Sequence, residues 1–165
     1  MAYKSYLTVL FLCFTTLLSA NKIQPDQAAI VSADDAATKA GMAILNQGGN
    51  AFDAAVAVAA TLAVTEPYHS GLGGGGFWLL YREQDKKNIF IDAREVAPKA
   101  ASTNLYQDNK NLSPWNSSLN GPLSAAIPGE PMSLVYIAKH YGRLSLATDL
   151  QPAIHWAEQG FIVDK

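Results

Sequence analysis

Cysteine is almost absent from this sequence of 165 residues, which contains only Cys13. A single cysteine cannot form a disulfide within the chain. Because Cys13 lies in an apolar N-terminal segment that we expect to be removed, the remaining chain is predicted to have no thiol chemistry. Residues 10–12, Leu-Phe-Leu, stand where a lipoprotein signal would need small residues. We therefore expect no lipid anchor.

Charged residues are scarce as well, at 16% of the sequence, and the net charge is −2. No basic stripe is visible, which argues against nucleic acid as a partner. The three histidines, His69, His140 and His155, are too scattered for a metal-binding signature. The sequence therefore predicts no metal, no cofactor and no nucleic-acid partner, while its 49% hydrophobic content is enough for a packed core.

The first 20 residues have the layout of a signal peptide. Lys4 provides the positive start, residues 6–18 form an apolar run, and Leu-Ser-Ala at 18–20 provides a small-residue cleavage site. The apolar run is shorter than the roughly 20 residues that span a bilayer, which disfavours the alternative of an uncleaved anchor. We expect cleavage after Ala20 and export to the periplasm or out of the cell, and the lack of disulfides favours a bacterial periplasm over a eukaryotic secretory route.

Residues 21–29 then form a short lead, and residues 30–165 carry the fold. Ser32 is predicted to cap a first helix that ends at Gly48. Asn50 is expected to cap a second helix, from Ala51 to about Thr65, with Asp53 at its third position. The second helix is apolar on nearly every face, which predicts burial on all sides.

The rest of the chain is predicted to be mixed helix and strand. Residues 77–81 and 88–93 are expected to pair as a hairpin of inner-strand character. The polar stretch 107–122 is predicted to be a surface loop, because it is rich in Asn, Ser and Pro. Two helices follow, at about 130–140 and 146–159.

The stretch SGLGGGGFWLLY, residues 70–81, contains the dinucleotide-binding pattern G-x-G-x-x-G at Gly71, Gly73 and Gly76. That pattern binds phosphate only when a strand precedes it and a helix follows it. Here the predicted order is reversed, which argues against nucleotide binding. Glycines without a Cβ instead allow backbones to approach closely at a helix-to-strand junction, and they can also line a substrate pocket.

Arg94 is the residue with the clearest chemical potential. It follows the second predicted strand, between Asp92 and Glu95. Its planar guanidinium can bind a carboxylate through two parallel hydrogen bonds. The local sequence favours a structural ion pair with a neighbouring acid, since buried charges are normally paired, and leaves ligand binding as the alternative.

Four motifs in this order resemble γ-glutamyltransferase, also called glutathione hydrolase, over residues 30–163. They are NQGGNAFDAAVAVAATLAVTEPYHSGLGGGGFWLLY at 46–81, DAREVAP at 92–98, IPGEPMSLVYIAKHYGRLSL at 127–146 and PAIHWAEQGF at 152–161. The resemblance implies an N-terminal-nucleophile hydrolase with a four-layer αββα fold of the α+β class. Only an N-terminal part of the large subunit is expected in this chain.

The resemblance also implies the chemistry. A threonine at the start of a self-cleaved small subunit attacks the γ-glutamyl carbonyl, and water or an amino acid or peptide then takes the acyl group. Glutathione and other γ-glutamyl compounds are the implied donors. Because the small subunit lies downstream, no catalytic residue is assigned here, and the isolated chain is expected to be inactive.

Arg94 matches the family arginine that binds the donor α-carboxylate, so the resemblance favours ligand binding over the structural ion pair. Glu95 matches a neighbouring acid expected to support it. The motif has Ala93 where glycine is more usual, a small change that leaves the expected role of Arg94 intact. Two alternatives remain: a sibling acylase or poly-γ-glutamate-processing enzyme, and a non-catalytic fragment.

Overall fold

The computed structural model describes residues 28–107 and 114–163, so the predicted signal peptide and nearly all of the predicted lead lie outside the described residues. No helix in these two ranges is both long and apolar enough to cross a membrane. The elements in chain order are α1 (Asp35–Asn46), α2 (Ala51–Thr65), α3 (Pro67–Ser70), β1 (Gly76–Arg82), β2 (Lys87–Ala93), α4 (Pro114–Leu119), a 3-10 turn (Pro122–Ser124), α5 (Glu130–Tyr141), α6 (Leu146–Asp149) and α7 (Gln151–Gln159).

The first helix begins close to the predicted position, but a different residue caps it. The predicted N-cap, Ser32, is wrong, because Asp34 caps α1 and its carboxylate accepts a 3.1 Å hydrogen bond from the backbone N–H of Ala37. Ser32 instead donates its hydroxyl to the Asp34 carbonyl at 2.7 Å. A carboxylate binds the free N–H groups and positive end of a helix more strongly than a hydroxyl does, which explains the choice.

The second helix is the centre of the fold. Its predicted cap is confirmed: Asn50 and Asp53 form a reciprocal capping box. Every residue from Phe52 to Thr65 is buried or half-buried, so the expected burial is confirmed in part, with half-buried positions such as Val58 facing a shallow apolar surface. Glu66 ends α2 as predicted, and Pro67 starts the short helix α3.

The main core lies where α2 meets the later helices and the hairpin. Its buried members come from four elements that are far apart in the sequence: Val56, Ala60, Leu80, Leu134, Ile137, Ala138 and Ala153. A smaller cluster between α1 and α2 contains Ile44, Ala54 and Ala57. The small alanine side chains let the helices pack closely around α2, which is why an alanine-rich helix occupies the centre.

The predicted hairpin is confirmed, with β1 and β2 antiparallel and Gly76 opposite Ala93. Alternate residues point to opposite faces, so Trp78 and Leu80 face the core. The other face carries Phe77, Leu79, Tyr81 and Phe90, all more than half exposed. An inner strand would be buried on both faces. Among the described residues, only one face of this hairpin is covered, so the expectation is confirmed for that face alone.

Two local expectations are wrong. The stretch predicted as a loop, 107–122, contains α4, and the 3-10 turn begins at its last residue, Pro122. The single helix predicted over 146–159 is two helices, α6 and α7, which meet at Leu150. Pro152 explains the break, because proline lacks a backbone N–H and its ring disfavours a continuous helix through that position.

Asp53 ties the start of α2 to the loop after α5. The side chain is completely buried, and its carboxylate accepts hydrogen bonds from the backbone N–H groups of Asn50 (2.7 Å), Arg143 (3.0 Å) and Leu144 (3.2 Å). The Asn50 amide also donates to the Tyr141 carbonyl at 2.7 Å. One carboxylate therefore satisfies three backbone donors from segments about 90 residues apart.

Asp149 is the second buried acid, at 0% exposure, and neither of its oxygens has a hydrogen-bond partner among the described residues. Burial, together with the nearby negative charge of Asp53, raises the pKa of Asp149 to about 6. Compared with a carboxyl group in water, Asp149 therefore stays neutral to a higher pH.

We expect Asp53→Asn to lower the free energy of unfolding by roughly 2–4 kcal/mol, because an amide cannot accept all three buried N–H bonds. Chemical denaturation of the purified protein at pH 7 measures the change. The matched control is Asp35→Asn, which removes an exposed ion pair with Lys39 and should change stability by less than about 1 kcal/mol. Equal effects of the two substitutions would contradict the role of Asp53.

We expect the substitution Asp149→Asn to have the opposite effect on the free energy of unfolding at high pH. The folded pKa of Asp149 is raised, so its contribution to stability is fully present below the unfolded pKa near 4 and is lost as the pH rises through about 6. Across that window the free energy of unfolding should fall by up to about 3 kcal/mol. Asp149→Asn should remove this dependence, so the variant should be more stable than the parent at pH 8. Parallel stability–pH curves for the two proteins would show that Asp149 is not the cause.

Candidate functional site

The candidate site is the segment that leaves β2. The Asp92 carboxylate accepts a 3.0 Å hydrogen bond from the backbone N–H of Arg94, which turns the chain out of the sheet. Two residues later, Val96 pairs with Ile127 through two backbone hydrogen bonds of 3.1 and 2.9 Å. Arg94 therefore lies on a short connection that is held at both ends.

Two glycines lie directly against this connection. A Cβ on Gly75 would lie 2.6 Å from the amide nitrogen of Glu95, and a Cβ on Gly129 would lie 2.6 Å from the carbonyl carbon of Ala93. The carbonyl of Gly74 accepts hydrogen bonds from the N–H groups of Gly129 (3.1 Å) and Glu130 (3.2 Å). Three stretches of backbone thus pack together here without a side chain between them.

The Arg94 side chain is largely exposed to solvent. Its side chain is 65% exposed, and its Nε lies 3.6 Å from Oε1 of Glu95, the only acid that pairs with it among the described residues. The pairing with Asp92 that the local sequence allowed does not form, because that carboxylate binds the backbone. The guanidinium retains free donors that a ligand carboxylate can accept.

A cleft of about 530 Å³ is lined by the glycine segment together with Tyr68, His69, Trp78 and Glu130. Trp78 donates its Nε1–H to Ser133 at 2.9 Å, and Ser133 donates to the Glu130 carbonyl at 2.7 Å. Burial raises the pKa of the Glu130 carboxyl. Arg94 is not part of the cleft wall.

The sequence motifs that suggested other chemistry have structural roles. The G-x-G-x-x-G glycines are preceded by α3 and followed by β1, which confirms that they cannot form a dinucleotide-binding turn. The His69 ring nitrogen Nδ1 lies 3.3 Å from the Glu66 carboxylate, its neighbour one helical turn earlier. In the part of the chain that the structure describes, no cluster of three or more His, Cys, Asp or Glu residues could hold a metal ion.

Gly129 is the site residue that sequence reasoning missed. The Pro-Gly pair at 128–129 precedes α5, and Gly129 is the N-cap residue of that helix. Its contact with Ala93 joins positions that are far apart in the chain, and no local pattern signals such a contact.

The sequence profile of the gamma-glutamyltranspeptidase family matches residues 37–165. This chain belongs to that family. The glutathione hydrolase proenzyme of Pseudomonas aeruginosa is 47% identical over 141 residues, which cover 85% of this chain and 25% of that protein. The glutathione hydrolase proenzyme of Escherichia coli is 39% identical over 142 residues, which cover 86% and 24%. The chain therefore spans about a quarter of the length of these curated relatives and corresponds to an N-terminal portion of a gamma-glutamyltranspeptidase.

Solved structures agree with the family. The gamma-glutamyltranspeptidase from Pseudomonas nitroreducens, complexed with L-DON, has a TM-score of 0.79 and 42% identity, covering 86% of this chain and 42% of that one. This likeness confirms the expected N-terminal-nucleophile hydrolase fold, of which the described helices and two-stranded sheet are one portion. The cephalosporin acylase from Bacillus halodurans shares the same portion, with a TM-score of 0.67 and 30% identity, covering 84% of this chain and 28% of that one.

Proposed function

We propose that this chain is the donor-binding part of an enzyme that cleaves the γ-glutamyl bond of glutathione and related compounds. The glutamyl group would pass to water, amino acids or peptides. The observation that carries the proposal is the exposed guanidinium of Arg94, held on a tightly packed backbone in a chain of the gamma-glutamyltranspeptidase family.

Arg94 is proposed to bind the α-carboxylate of the γ-glutamyl group. A bidentate pair fixes both the position and the orientation of the donor, because the two hydrogen bonds are parallel and coplanar. Glu95 is proposed to support this geometry: its carboxylate lies 3.6 Å from Nε, which limits the rotation of the arginine side chain while leaving its terminal nitrogens to the ligand.

The nucleophile is proposed to come from a small subunit of the same precursor, which is not represented in this chain. A threonine hydroxyl would attack the γ-carbonyl and form an ester, and the amide nitrogen would leave as an amine that takes up a proton. Attack by water on the ester would release glutamate, and attack by an amine would form a new γ-glutamyl amide. No threonine of this chain is assigned to that step.

An acylase is the second candidate, because the cephalosporin acylase shares this portion of the fold. The two candidates differ in the donor. A γ-glutamyl donor carries an α-carboxylate that Arg94 can bind, whereas an acyl group without that carboxylate gives the arginine no partner. Hydrolysis of a γ-glutamyl anilide, compared with the matching anilide that lacks the α-carboxylate, distinguishes them.

We expect Arg94→Lys in the complete enzyme to raise KM for glutathione about 10- to 100-fold, since one charge-assisted hydrogen bond contributes about 1.5–3 kcal/mol and lysine cannot form the parallel pair. Initial-rate kinetics measure this. Arg82→Lys is the matched control, because Arg82 pairs with Asp85 in the hairpin turn. Unchanged KM and kcat for Arg94→Lys would refute the proposed role.

We also propose that the protein is exported, and that residues 1–20 are removed. The N-terminal residue of the protein recovered from a bacterial periplasmic extract is then expected to be Asn21, as read by Edman degradation or mass spectrometry. Recovery of the chain in the membrane fraction with Met1 or Ala2 at its start would show an uncleaved anchor instead.

A further inference from the structure

We propose that Gly75 and Gly129 are positioning residues for Arg94: the space left by their missing side chains holds the Ala93–Glu95 backbone in the place from which the guanidinium reaches the donor. This inference rests on the proposed function of Arg94. It adds two residues from other parts of the chain to the donor-binding machinery.

The need for glycine comes from close contact and not from backbone conformation. Gly129 has φ −100° and ψ −25°, which an alanine can adopt without strain. Gly75 likewise does not have a positive φ. At both positions the atoms that a Cβ would meet belong to the backbone of residues 93–95, which cannot move aside as the end of a flexible side chain can.

A methyl group added at either glycine is expected to displace Arg94. The connection is anchored on one side by β2 and on the other by the Val96–Ile127 pair, and Gly74 is bonded to the chain at Gly129. A methyl group inserted between these backbones therefore shifts the residues between the anchors, and Arg94 lies among them. Misplacement of a binding group by about 1 Å can cost about 100-fold in activity.

The same glycine segment supplies a matched control. A Cβ on Gly73 would have no heavy atom within 4 Å, apart from its own chain neighbours. Gly73→Ala therefore adds the same methyl group two residues from Gly75 without touching the Arg94 segment. The effect of replacing glycine by alanine on backbone conformation should be similar at all three positions, since none of the three glycines has a positive φ.

The experiment compares Gly75→Ala, Gly129→Ala and Gly73→Ala in the complete enzyme, each with and without Arg94→Lys. We expect the first two to raise KM for glutathione about 10- to 100-fold in the presence of Arg94 and Gly73→Ala to leave it unchanged. In the Arg94→Lys background the first two should add less than about threefold, because the interaction that they disturb is already weakened.

A merely structural role would give a different result. General destabilisation would lower kcat or the yield of folded enzyme by the same factor in both backgrounds, and this outcome would overturn the inference. The inference would also be overturned if both test variants left KM unchanged while Arg94→Lys raised it. If Arg94→Lys itself leaves KM unchanged, the proposed function fails first and this inference falls with it.

A second variant keeps the test decisive if the alanine variants do not fold. Val96→Pro removes the N–H that donates to the Ile127 carbonyl at 3.1 Å, at an exposed position, and leaves both glycines unchanged. It should loosen the same connection and raise KM for glutathione in the presence of Arg94. An unchanged KM for Val96→Pro would then overturn the inference.

Discussion

Backbone packed directly against backbone is the constraint on which the candidate site depends. At Ala93–Glu95 the connection after β2 meets the glycine segment and the start of α5 with no side chain between them. The two residues that meet this connection, Gly75 and Gly129, lack the Cβ that would otherwise prevent such a close contact. The result is a long, charged side chain that reaches solvent from a rigid base.

The buried carboxylate of Asp53 fixes the helix that follows Gly129. By accepting N–H groups at Asn50, Arg143 and Leu144, it fixes α5 relative to α2. The start of α5 carries Gly129, and α5 also holds Ser133, to which the hairpin residue Trp78 donates. Helix, hairpin and arginine connection are therefore linked through hydrogen bonds, and among the described residues only Ser117 and Asp149 have buried side-chain oxygens without a hydrogen-bond partner.

Much of the local structure could be predicted from the sequence. The Asn50 cap, the end of α2 at Glu66 and the pairing of the two strands all follow from residue type and spacing, and all are confirmed. The errors have local causes as well. Asp34 displaced Ser32 because two capping residues stood next to the same helix, and Pro152 divided one helical pattern into two.

The sequence alone determined the helical and strand periods, the helix caps and the presence of an arginine in a motif of this family. Each of these depends on residues within a few positions of one another. The tertiary structure alone decided that Gly129 meets Ala93, that Arg94 is exposed while Asp92 binds backbone, and that Asp149 is buried with no hydrogen-bond partner among the described residues. Burial and close approach depend on which distant segments of the chain meet in the fold. A local sequence pattern does not indicate which segments these are.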